Sequence, residues 1–288
     1  MLQRLFGKHR RAPKIWHPAV GELVCNHYKF KSRADWEART ARLDGSGYLA
    51  GKFTAPNMAA WEADSNETER DAILRFVPDL KRRMAAPVPP APEGPPWYCA
   101  ALAMFRAEED YMDEWLDYHA MIGVEHFFLY NNDGDLSRYR RLHDYVAAGR
   151  ATVIDWPDRV IEHIPEERRL TRHVEGSKKI TVQNLAIRHF CGKLRRQTRW
   201  VISIDIDEYM VPVTAPDLPG VLRTKQAYAG IEVPRLHFGS MGRIERPEGL
   251  IIESYLRSQA EPSSVKSIAQ TRRLAQWQRG GAHHFSYA

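Results

Sequence analysis

The sequence predicts an α/β fold: a mostly parallel sheet flanked by helices, preceded by a mainly helical amino-terminal segment that packs on it. Three observations lead there. Short apolar runs, of which the β-branched Trp200-Val201-Ile202-Ser203-Ile204 is the clearest, read as buried strands. Stretches with helical spacing separate these runs, and a strand–helix alternation implies parallel strands with helices on both faces. A proline-rich stretch, residues 85–96, divides this alternating part from what precedes it.

Residues 1–84 come first. Their spacing predicts an amphipathic helix over 33–43, a Gly-, Pro- and Asn-rich middle, and a second helix over 67–84. Residues 85–96 cannot hold a helix and are expected to run as an extended polyproline-type linker. Residues 97–288 form the main domain. Its first strand is 98–105. A helix follows over 110–121, with Met112, Trp115, Leu116 and His119 at helical spacing and Gly123 as its stop. The strand 126–130 ends in the turn signal Asn131-Asn132-Asp133-Gly134-Asp135. Then come a helix over 136–148, a strand over 151–156, a helix over 177–190 and a fourth strand over 200–206. Beyond Asp207 the pattern loosens, with strands expected over 229–236 and 249–256. Trp115 and Tyr118 read as helix core.

A chain of 288 residues accommodates one large domain or two modest ones. Its 43% hydrophobic and 27% charged residues are ordinary globular values. The net charge of +6 suits polyanions, anionic membrane surfaces or nucleotide diphosphates without choosing among them. The basic residues group at Arg168-Arg169-Arg172, Lys178-Lys179 and Lys193-Arg195-Arg196-Arg199, each readable as solvated surface. No zinc-finger or RNA-binding signature accompanies them, which argues against a specific nucleic-acid partner. Cys25, Cys99 and Cys191 form no CxxC pair and read as reduced thiols of a cytoplasmic protein. No apolar stretch reaches membrane-spanning length, so peripheral membrane contact is the membrane association left open.

The chemistry gathers where the four main strands end. The first end carries Arg106, Glu108 and Glu109, the second Asn131 and Asp133, the third Asp155, and the fourth Asp205, Asp207 and Glu208. Ligands of open α/β sheets bind at such ends. Oxygen-rich sites take Mg²⁺ or Mn²⁺ and share it with substrate phosphates. If the strand continues to Asp207, Asp205 and Asp207 share a face and can hold one such ion; the alternative is an acidic turn capping a helix start. Neither GxxxxGK[ST] nor GxGxxG is present, so phosphate charge must be met by metal, Arg or Lys. That combination points to sugar-nucleotide chemistry, in which a metal stabilises a departing diphosphate.

The stretch Phe105-Arg106-Ala107-Glu108-Glu109 through Glu114-Trp115 and Tyr118-His119, followed by Gly123-Val124-Glu125-His126-Phe127, resembles the opening of family 2 and family 92 type glycosyltransferases. Gln183, Ala186 and Cys191, the acidic strand end before Met210, Phe238-Gly239-Ser240-Met241-Gly242, Pro247, Gly249-Leu250, Glu253-Ser254-Tyr255 and Lys266-Ser267-Ile268 continue the likeness. One departure is Arg106-Ala107 where the family carries Lys-Asn. Val24-Cys25-Asn26-His27-Tyr28-Lys29-Phe30-Lys31-Ser32, with Asn66, Glu69 and Ile73, resembles the family's carboxyl-terminal segment, here placed first, as in a circular permutation.

The resemblance implies a GT-A fold and transfer of a sugar from a nucleoside diphosphate sugar to a glycan or lipid-linked acceptor. It implies Mn²⁺ or Mg²⁺ held by Asp205, Asp207 and a histidine from the displaced segment, His27 first, with His283 and His284 behind it. Arg106, Glu108, Glu109, Asn131, Asp133, Asp155 and Lys31 are the donor-binding candidates. One at most of Glu245, Glu248 and Glu253 would be the base that deprotonates the acceptor. The alternatives are a catalytically idle carbohydrate-binding or interaction protein and a metal-dependent phosphotransferase.

Overall fold

The computed structural model describes residues 13–29, 31–43, 55–92, 94–165, 180–275 and 284–288. The basic groups at 168–172 and 178–179, the stretch 44–54 and His283 lie outside them. The chain begins with β1 (Ile15–Trp16), β2 (Leu23–His27), α1 (Arg33–Leu43), α2 (Ala55–Asp64), β3 (Thr68–Glu69) and α3 (Val77–Met84). The alternating part follows: β4 (Trp97–Phe105), α4 (Glu109–Met121), β5 (His126–Asn131), α5 (Arg140–Ala147), β6 (Ala151–Asp155), α6 (Val182–His189) and β7 (Thr198–Ser203). The remainder comprises β8 (Glu208–Pro212), α7 (Leu218–Thr224), β9 (Gly230–His237), α8 (Ile251–Ser254), β10 (Arg257–Ser258) and β11 (Ser264–Gln270).

The described strands of the large sheet run in the order β6-β5-β4-β7-β11-β9-β2-β8, with β1 also paired to β9. β6, β5, β4 and β7 are mutually parallel, as the alternation predicts, so their carboxyl ends share one edge. β11 enters antiparallel between β7 and β9, and β8 pairs antiparallel with β2. The sheet is therefore mixed but mostly parallel. Helices cover both faces: Trp115 and Tyr118 of α4 join the cluster of Phe127 and Tyr145 on one side, and Ala186 and Ile187 of α6 that of Phe128 and Val201 on the other.

Local differences from the sequence reading have physical causes. The stretch 67–84 divides into β3, a 3₁₀ turn at Ala72–Phe76 and α3. Pro78 in the first turn of α3 has no N–H to extend the preceding turn into it, which favours a break there. Residues 249–256 form α8 and not a strand. Glu114 of α4 fixes that helix start, since Ile251 N and Ile252 N donate to its carboxylate at 2.8 and 3.1 Å. The fourth strand stops at Ser203, and Ile204–Asp207 form a turn into β8.

The amino-terminal segment is built into this sheet. β2 lies between β9 and β8, registering His27 beside His237 on one side and Glu208 on the other. Glu62 and Asn66 hold the 238–242 turn: Ser240 N donates to Glu62 at 3.2 Å and Met241 N to Asn66 Oδ1 at 3.0 Å. Gly239 is required at that turn, because a Cβ there would sit 2.5 Å from Asn66 Nδ2. Arg83 and Arg141 both reach the fully buried Asp117, joining α3, α4 and α5.

Candidate active site

Strand register gathers one face of charged residues. Alternate positions of a strand share a face, and cross-strand neighbours do too. Arg235 and His237 of β9, Cys25 and His27 of β2, Glu208 of β8 and Lys266 of β11 all fall on that face by their pairing. Lys266 Nζ lies 2.7 Å from Asp205 Oδ2 and 2.7 Å from Glu208 Oε2. Arg235 Nη1 lies 2.9 Å from Glu208 Oε1. Glu208 and Lys266 are completely buried, and the two carboxylates raise the Lys266 ammonium pKa above its usual value against the cost of burial. Lys266 is thus held in its charged form.

The turn itself is held from three directions. Trp115 Nε1 donates to the carbonyls of Asp205 and Glu208, each at 3.0 Å. Asp205 N donates to Glu208 Oε2 at 3.0 Å, and Tyr28 N to Asp207 O at 2.8 Å. Gln183 Nε2 of α6 donates to Asp205 Oδ1 at 2.9 Å. Both oxygens of Asp205 are therefore engaged by Lys266 and Gln183.

Asp207 looks elsewhere. His27 Nε2 lies 3.4 Å from Asp207 Oδ1, and both side chains are buried. Burial lowers the His27 pKa, while Asp207 and Glu208 pull it back up. His27 Nδ1 is buried with no hydrogen-bond partner among the described residues and stands 4.0 Å from Glu208 Oε1. The His237 ring lies 4.7 Å from that of His27 and is held neutral, its pKa lowered to about 2 mainly by burial. Among the described residues no three His, Cys, Asp or Glu are disposed as a ready-made metal site. Asp207 and His27 are nonetheless an oxygen and a nitrogen donor set facing each other. A divalent ion bound by one or two carboxylates completes its shell with water and substrate phosphates, and this pair suits that mode.

The other candidate residues are placed as follows. Arg106 is exposed and reaches Asp158 at 3.1 Å. Arg138 pairs with Glu109 and, at 2.9 Å, with Asp133. Glu108 N donates to Tyr139 Oη at 3.2 Å. Asn131 Oδ1 accepts from Asp133 N and Gly134 N at 3.0 and 3.2 Å, a side-chain-closed turn. Asp155 is exposed at the end of β6, about 14 Å across three strand spacings from β7. Lys31 is buried with its ammonium 3.4 Å from the Tyr111 ring centroid, beside Asp35 and Arg246. Glu245 and Glu248 are exposed on the 241–249 loop, whereas Glu253 accepts from Leu250 N at 3.2 Å and pairs with Lys81 at 2.7 Å. His284 meets Glu232 at 3.3 Å, about 16 Å along β9 from His237.

Three members of the site received no role from the sequence. Arg235 and His237 sit at alternating positions of a strand, a weak sign of a polar face. Lys266 stands amid a strand too polar to stand out by periodicity.

A curled, mostly parallel sheet with helices on its faces and acids at one edge is consistent with a GT-A-like fold. The model of glycosyltransferase family 92 matches residues 97–282, and the chain belongs to that family. A family 92 protein of Oryza sativa subsp. japonica is 26% identical over 186 residues, 63% of this chain and 28% of the relative. One from Ricinus communis is 27% identical over 188 residues, 63% of this chain and 30% of the relative. The chain thus aligns with less than a third of these relatives' length. No solved structure matches it. Among the described residues no helix is long and apolar enough to cross a membrane.

Proposed function

We propose that this chain transfers a sugar from a nucleoside diphosphate sugar to a hydroxyl of a glycan or lipid-linked acceptor, with Mn²⁺ or Mg²⁺ bound at Asp207 and His27. The observation that supports it most is the 3.4 Å approach of His27 to Asp207 at the carboxyl edge of a family 92 sheet. The ion would supply charge stabilisation to the departing diphosphate. Asp205 would join it only on releasing Lys266 and Gln183, and otherwise orients the turn. We read residues 1–84 as the family's closing segment in permuted order, completing the site within one chain.

The donor would lie along the edge from Asp207 toward Arg106, Glu108, Glu109, Asn131 and Asp133, where Arg106 and Arg138 supply positive charge. Asp155 and Lys31 would flank that path. Glu253 is committed to Lys81 and the start of α8. Glu245 and Glu248 therefore remain as candidates for the base.

A second reading, an idle binding protein, draws support from the ion pair that occupies Asp205. Thermal-shift titration with uridine or guanosine diphosphate separates the two, since a ligand stabilises only the state that binds it. A stabilisation that requires Mn²⁺ and disappears in His27→Ala supports transfer. Absence of any nucleotide shift, with or without Mn²⁺, favours the idle protein.

A further inference from the structure

The basic group at 193–199 is not used by the carboxylate edge, and the fold gives it a setting of its own. A cleft of about 540 Å³ opens at the amino-terminal ends of β4 and β7, lined by Arg195, Arg196, Arg199 and Arg272 together with Gln226 and Gln270. Its size lies within the range of small-molecule sites. The antiparallel pairing of β11 with β7, Gln270 opposite Trp200, is what brings Arg272 to the three arginines around β7. Arg199 and Asp205 are six residues apart along β7 and its extension, about 20 Å at strand rise. The cleft is therefore remote from the carboxylates.

Among the described residues no aspartate or glutamate lines it. Arg195 donates to the Leu274 carbonyl at 2.7 Å and Arg272 to Gln270 Oε1 at 2.8 Å, both neutral oxygens that aim the guanidinium groups without cancelling their charge. Gln270 is itself fixed, donating to the carbonyls of Gln226 and Tyr228 at 2.8 and 2.7 Å. The wall is thus braced, while Arg196 and Arg199 remain exposed to the opening. A cleft of one charge sign focuses its field on an incoming counter-charge. Guanidinium forks match phosphate oxygens in pairs. A phosphomonoester carries nearly two charges, so clustered phosphates answer four arginines where a single carboxylate does not.

We propose that this cleft binds a ligand bearing clustered phosphomonoesters, at a site separate from the carboxylate edge. Such groups come from a soluble polyphosphate or from a phosphorylated lipid headgroup. The test uses inositol hexakisphosphate by calorimetry and, in parallel, sedimentation with vesicles containing phosphatidylinositol 4,5-bisphosphate, whose two phosphomonoesters are adjacent, both at about 0.15 M salt, where exposed charges are largely screened beyond ~8 Å. Arg196→Gln with Arg199→Gln is the test variant, since both side chains are exposed and the fold does not need their charge. Asp207→Asn is the control. The expected result is inositol hexakisphosphate binding weakened about tenfold or more in the arginine variant and unchanged in the control. Vesicle binding lost in the same variant identifies a lipid-borne source; soluble binding alone identifies a free phosphate ligand. Equal binding by wild type and the arginine variant, or no binding of either probe by wild type, overturns the proposal.

Discussion

His27 and Asp207 face each other at 3.4 Å, one from β2 near the start of the chain and the other from the turn before β8. The backbone enforces the meeting. Tyr28 N donates to the Asp207 carbonyl, and Phe238 N donates to that of His27. The amino-terminal segment therefore contributes a side chain to the same edge as the family 92 sheet, although the family match begins only at residue 97.

Lys266 is predicted to hold the site electrostatically. Its removal leaves Glu208 buried and Asp205 half-buried, both short of a partner. Breaking a buried pair from one side costs about 3–5 kcal/mol. Lys266→Met should lose stability of that order in urea denaturation. Glu208→Gln added to it should recover part of the loss, because the negative charge left in excess of Arg235 is gone. A double variant as unstable as the sum of the singles contradicts this account.

Ala107 is a backbone anomaly at the Arg106-Ala107 departure. Its φ is 52°, in the left-handed region. Alanine is strained there by about 1 kcal/mol, whereas asparagine tolerates it better. The asparagine that the resemblance expects at this position would suit that conformation. Ala107→Asn should raise stability by about 0.5 kcal/mol in chemical denaturation. A loss of stability would show that this conformation is not the cause.

His119 makes stability depend on pH. Its Nδ1 donates to the Trp115 carbonyl at 2.9 Å, and its Nε2 accepts from Met210 N at 3.4 Å. A second ring proton would face that N–H. Burial lowers the pKa to about 3. The folded value lies below the unfolded one, so the unfolded chain binds more protons and stability falls as pH drops below about 6.5. At about pH 5 the cost is about 2 kcal/mol. Denaturation at about pH 7.5 and 5 should show that loss in the wild type and a flatter dependence in His119→Gln. An unchanged dependence contradicts the assignment.

The legible parts of this fold are those with one clear period. The runs at 98–105, 126–130, 151–156 and 200–204 are short, mainly apolar and separated by helical spacing, and each is a parallel strand. β8 and β11 were hidden because Glu208, Lys266 and Ser267 interrupt any apolar alternation. Leu250-Ile251-Ile252 is too short to distinguish helix from strand, and Glu114, far away in sequence, decides it. Asp205 and Asp207 lie past the end of the strand that was expected to carry them. The strand ends at Ser203, so the two-residue period no longer applies, and the side chains turn to Lys266 and His27 respectively. The partnership of His27 with Asp207 had no periodic signal at all and was readable only through resemblance.

The central claim is that Asp207 serves donor turnover. The direct measurement is release of nucleoside diphosphate from a panel of nucleotide sugars with Mn²⁺ and acceptor hydroxyls, comparing wild type with Asp207→Asn at matched folded fraction. The account predicts that the wild type turns over at least one donor and that Asp207→Asn loses activity by about a hundredfold or more, in line with removal of a charge-stabilising group. Equal turnover by the two proteins would contradict it.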